Sequence, residues 1–139
     1  MDAAAYFFSG IEKRRTGDLE GAIEDYSKAI DLEIESNTFG FHEVYSLRGC
    51  AKLDLNNIDD AIQDFLKAIE VEPTHTLAYM WLGKVYCNRK EFAKAAGYID
   101  KVVGIFGFTG DIDDINDDLL QDYSEEEWNE IKKYLKQNE

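Results

Sequence analysis

The chain has 139 residues, 32% of them charged and 45% apolar, with one proline and a formal net charge of −14. That length buries a core unaided, and no apolar run approaches the roughly 18 residues of a membrane span. So acidic a molecule repels phosphates, which excludes nucleic acid and anionic membrane as partners and favours a basic protein surface; the start, Met1 to Phe8, has no basic leader segment, so a cytoplasmic location is expected.

In chain order, helices are predicted over residues 2–15 and 18–33, then 41–54 and 57–71, then 75–88 and 91–104. The second helix of each pair carries apolar residues at helical spacing. Ala22, Ile23, Tyr26, Ala29 and Ile30 are answered by Ala61, Ile62, Phe65, Ala68 and Ile69, and more weakly by Ala95, Ala96, Ile99, Val102 and Val103. A glycine precedes each copy: Gly10, Gly49 and Gly83, 39 and then 34 residues apart. Glycine on one helix, with Ala22, Ala61 and Ala95 on the other, removes side chains where paired rods cross.

A 34-residue period belongs to helix-hairpin repeats. The third copy has Tyr79, Leu82, Gly83 and Tyr86 at its front, and the second has Ala61, Phe65, Ala68 and Pro73 at its back. On these residues the chain resembles the tetratricopeptide repeat family over about residues 3–105. The resemblance implies an all-α, right-handed superhelix (solenoid) of three repeats, about 3–36, 42–75 and 76–108. They make a domain over 1–105, followed at 106–139 by an acidic linker and a C-terminal capping helix. Departures from the family pattern are Ser9, Lys13 and Ile34 in the first copy, and Ile99, Val102 and Gly107 in the third. Without a proline at position 34, the second helix is expected to run on toward Asn37, leaving the extra residues in a loop over 35–41 where Asn37 and Gly40 suit a turn.

After Gly104 the period is lost, and residues 105–139 carry eleven acidic side chains against three basic ones. Ile112, Ile115, Leu119 and Tyr123 predict a short helix within 111–123. Asp114, Asn116, Asp118, Asp122 and Glu125 fall at calcium-loop spacing, but Leu119 stands where the sharp turn needs glycine. A solvated acidic face explains segment 111–125 as well, and a calcium-responsive regulator stays a rival. Ser124 and Glu127 have capping-box spacing and open a helix to about Gln137, with a stripe of Trp128, Ile131, Tyr134 and Leu135. That stripe is expected to close the end of the last repeat; the alternative is that it fills the groove of its own or another chain.

Catalytic chemistry is not expected: there is no phosphate loop, nucleophile elbow or metal-ligand spacing, hence no cofactor and no metal. Cys50 and Cys87 are read as free, buried thiols, and His42 and His75, just ahead of two first helices, are given no role. The resemblance implies a concave groove lined by Phe7, Ile11 and Arg14, by Leu47, Cys50 and Leu53, and by Met80, Trp81, Lys84 and Asn88. The family's clamp for acidic chaperone tails uses Lys and Asn in the first repeat, Asn in the second, and Lys and Arg in the third. This chain has Phe7, Ile11, Leu47, Leu77 and Trp81 there, so such a clamp is not expected. The expected function is a non-catalytic adaptor or scaffold whose apolar groove binds a peptide or helix of another protein, basic or amphipathic. The alternative is a self-associating, homo-oligomeric module whose groove or open end the C-terminal helix fills.

Overall fold

A computed structural model of the chain describes residues 1–36, 41–107 and 123–135, with seven α-helices and no strand among them. The expected turn at Asn37 and Gly40, and the acidic segment with its calcium-loop spacing and short helix up to residue 122, lie outside the described residues. Two compact units are present, Met1–Ala78 and Tyr79–Glu139.

The first unit holds α1 (Ala3–Arg15), α2 (Leu19–Ser36), α3 (Phe41–Asp54) and α4 (Ile58–Val71), with α2 packed against both α1 and α3, and α3 paired with α4. The second unit holds most of α5 (Thr76–Asn88), then α6 (Phe92–Phe106) and α7 (Glu125–Lys132). As expected, α2 runs three residues past Glu33. In contrast, α7 ends at Lys132 rather than near Gln137, because the chain tightens there: the Tyr134 and Leu135 amides donate to Ile131 and Lys132.

The periodic glycines mark the crossings. A Cβ at Gly10 would stand 2.6 Å from the Tyr26 ring, and one at Gly49 would stand 3.0 Å from the Phe65 ring. Both rings are wholly buried, each worth roughly 1.5–3 kcal/mol of apolar burial. The third copy carries the shorter Ile99, whose nearest atom would lie 3.6 Å from a Cβ on Gly83. The space an aromatic ring fills in the other copies is taken by the Tyr123 hydroxyl, 2.9 Å from that Cβ position. Ala22, Ala61 and Ala95 are fully buried on the opposing helices.

Each hairpin turns in the same way. Gly17, Asn56 and Lys90 have φ of 92°, 65° and 62°, and they are spaced 39 and 34 residues apart like the glycines. Around each, one amide donates three residues back and the next donates five residues back, as in Gly17 to Arg14 and Asp18 to Lys13. This left-handed C-terminal turn satisfies carbonyls at the end of the first helix.

Candidate functional site

Polar pins hold the hairpins of the first unit in register, and so position the first-helix faces. In the first hairpin the buried Asp25 accepts from the Ser9 hydroxyl at 2.6 Å and pairs with Lys13 at 2.9 Å. Burial pushes the Asp25 carboxyl up, but the Ser9 hydroxyl and the Lys13 ammonium outweigh it and hold the group below its ordinary value. In the second hairpin the buried Asp64 takes two bonds from Arg48, at 2.8 and 2.7 Å, and pairs with Lys52 at 3.0 Å. Arg48 also donates to Ser27 at 3.1 Å, which ties α2, α3 and α4 together. The third hairpin has no acid at the matching place. Tyr98 stands there, stacked on Tyr86 with ring centroids 5.7 Å apart and planes 12° apart.

The expected groove residues of the first unit divide by depth. Phe7 is 5% and Cys50 4% exposed; both belong to the core rather than to a groove wall. Phe7 points its ring at Tyr26, with centroids 6.4 Å apart, and burial pushes the Cys50 thiol up to about 11. Ile11, 38% exposed, and the half-buried Leu47 remain at the surface. They line an open hollow of about 360 Å³ together with Arg14, Arg15, Asp54 and Tyr26. Tyr26 is buried, which pushes its phenol up to about 12. Arg14 donates Nε–H to Asp54 at 3.0 Å, and Arg15 pairs with Glu12, so both guanidinium groups are engaged. Leu53 is half-buried on α3, outside the residues lining the hollow. Phe8 is 63% exposed on α1.

In the second unit Met80 and Trp81 are half-buried on α5. Lys84 is directed to the C-terminal segment, with its ammonium 3.6 Å from Glu127 and 5.0 Å from the centre of the Tyr123 ring. Asn88 is exposed and lines a separate hollow of about 450 Å³ with Cys87, Lys90, Phe92, Glu126, Glu127 and Glu130. Trp128, Ile131 and Leu135 are buried against Ala95, Ala96, Ile99 and Val103 of α6, and against Cys87. The C-terminal helix therefore covers the second helix of the last hairpin. Ser124 and Glu127 form the expected capping box. Glu127 also accepts from the Cys87 thiol at 3.0 Å. Hydrogen bonds, above all from the Ser124 amide, draw Glu127 down to about 2, while burial and then Glu127 push Cys87 up to about 12. Both cysteines are free and buried. Among the described residues no cluster of His, Cys, Asp and Glu is placed to hold a metal ion, and no helix is long and apolar enough to cross a membrane.

Comparison with known proteins bears on this geometry. Two sequence profiles, both described as tetratricopeptide repeat, match residues 46–108 and 3–33. No curated protein matches the sequence. Among solved structures, the chain is similar to the TPR2B domain of yeast Sti1 in complex with an Hsp70 peptide. Identity is 21%, the match covers 94% of this chain and 96% of that one, and the TM-score is 0.71. It is similar to the first TPR of Spaghetti (RPAP3), bound to the HSP90 peptide SRMEEVD, at 18% identity, with 96% and 90% of the chains covered and a TM-score of 0.68. It is also similar to MamA at 23% identity and a TM-score of 0.70, where the match covers 76% of this chain and 59% of that one.

Proposed function

The chain is a member of the tetratricopeptide repeat family, and on that premise we propose that it is a non-catalytic interaction module holding a peptide or amphipathic helix of another protein on its first-helix faces. The observation that carries this reading is the hollow in the first unit. Its apolar wall is Ile11 and Leu47, and its charged members are already engaged, Arg14 with Asp54 and Arg15 with Glu12. An apolar surface with a neutralised rim suits an amphipathic segment better than a small charged ligand. Leu53 in the same unit, and Met80, Trp81 and Asn88 on α5, are the other proposed contact residues. Phe7 and Cys50 act from beneath, by fixing the helices. The peptide complexes among similar structures support a peptide-type partner.

Charge names the class of partner. Every lysine and arginine of the first unit is in an ion pair: Lys13, Arg14, Arg15, Lys28, Arg48, Lys52 and Lys67. These seven cations face sixteen acidic side chains over residues 1–78. A segment with basic residues flanking apolar ones therefore meets a complementary field. The test is anisotropy titration of a labelled basic amphipathic peptide into the full chain. Ile11→Ala combined with Leu47→Ala is expected to weaken binding about tenfold or more, as loss of interface anchors does. Undiminished affinity in that double variant removes these residues from the account. Burial of Trp128, Ile131 and Leu135 in the core of the second unit supports the peptide reading over a groove filled by that helix, and self-association with the open end filled by the helix stays the alternative.

A further inference from the structure

A second group of titratable side chains in the first unit lies apart from the hollow. His42 is on the first turn of α3, and His75 is in the turn between α4 and α5; their ring centroids are 4.8 Å apart, edge to face at 70°. His75 Nε2 is 2.6 Å from the hydroxyl of Ser46, which stands one turn after His42 on α3 and is wholly buried. Two carboxylates face the pair. Glu43 is adjacent to His42, and Glu72 ends α4, where it accepts from the Thr74 hydroxyl at 2.7 Å and from the Thr74 amide at 3.3 Å. The His75 amide closes the turn by donating to the Glu72 carbonyl at 3.0 Å.

We propose that His42, His75 and Ser46 form a proton-sensitive clasp that fastens the α4–α5 turn onto α3 at neutral pH and releases it in mildly acidic conditions. A neutral imidazole can accept from Ser46 through Nε2, whereas an imidazolium can only donate. Protonation then obliges the Ser46 hydroxyl to turn its lone pair to the ring, in a place with no solvent to take its proton. A second positive charge on His42, one ring away, opposes the same event. Glu43 and Glu72 work in the other direction, but burial and then His42 prevail and hold His75 below the ordinary histidine value. The sign follows by linkage. An unfolded chain binds a proton on His75 near pH 6.5, more readily than the folded one, so the clasp contributes fully above that pH and is lost as pH falls through the lower folded value.

The experiment is an NMR titration of both imidazoles in the full chain from pH 7.5 to 5, with amide exchange followed at residues 74–78. His42→Gln and His75→Gln are carried in parallel. In the wild-type chain His75 is expected to titrate below the ordinary midpoint, and to move upward in His42→Gln. Acidification is expected to strip exchange protection, corrected for intrinsic rate, from residues 74–78 in the wild type but not in His75→Gln. Should His75→Gln fail to fold, the upward shift in His42→Gln, at a half-buried position, carries the same decision. Ordinary titration of His75 with no response to His42→Gln, or the same loss of protection in the wild type and His75→Gln, overturns the proposal.

Discussion

Lys90 occupies a backbone conformation that a lysine has little reason to adopt. Its φ of 62° places it in the left-handed region, where a Cβ costs about 1–2 kcal/mol, and the matching turn of the first hairpin uses glycine at φ 92°. Asn56, at φ 65°, is the intermediate case, since asparagine tolerates this region. Lys90→Gly is therefore expected to stabilise the protein by about 0.5–1 kcal/mol, the relief of strain being partly offset by the greater freedom of the unfolded chain. Gly17→Ala is expected to cost about 1 kcal/mol, and urea denaturation of the two variants measures both. The crossing glycines were legible in the sequence, because they recur 39 and 34 residues apart in phase with the small residues Ala22, Ala61 and Ala95. The turn residues share that phase but were not legible: Gly, Asn and Lys have no common side-chain property, and only the backbone makes them equivalent.

At the scale of the helix pair, sequence reasoning treated Ser9 and Lys13 simply as departures from the family pattern. The structure shows that they are half of a matched set. Where the second helix carries a buried Asp, the first carries donors for it, Ser9 and Lys13 or Arg48 and Lys52. Where it carries Tyr98, the first carries Leu82 and the stacking partner Tyr86. The match is between residues 12 to 16 positions apart on two helices, and a pattern read along one helix at a time does not reveal it. It has an energetic consequence. Asp64→Ala leaves Arg48 and Lys52, with side chains 19% and 18% exposed, without their shared counter-charge, and is expected to cost about 3–5 kcal/mol. Copying the third hairpin, as Arg48→Leu, Lys52→Tyr and Asp64→Tyr together, removes charge and counter-charge at once. It is expected to cost well under half as much by thermal or chemical denaturation. Equal destabilisation by the single and triple changes means the network is not what holds α3 to α4.

For the molecule as a whole, the sequence told which residues recur on the first helix of each hairpin but not how deep each side chain sits. Phe7 and Cys50 were placed on the wall because family position fixes direction, while depth depends on what packs behind, here Tyr26 under α1 in the case of Phe7. Charge was legible as a total of −14 but not as a distribution of pairs. That distribution separates two reasons why an acidic tail should not bind. One is long-range repulsion by the net charge, which salt removes, since the screening length shrinks to about 3 Å at 1 M. The other is local: Ile11, Leu47 and Trp81 offer no cation, Lys84 is turned to Glu127, and each cation of the first unit already has a carboxylate. Salt cannot supply a missing donor. The peptide SRMEEVD, which the first TPR of Spaghetti (RPAP3) binds, is therefore expected to bind this chain with a Kd no tighter than about 1 mM, at both 0.05 M and about 1 M salt. Calorimetry at the two salt concentrations checks it. Binding that emerges only at high salt leaves repulsion as the cause, and binding at low salt means that a cation of the first unit leaves its carboxylate for the peptide.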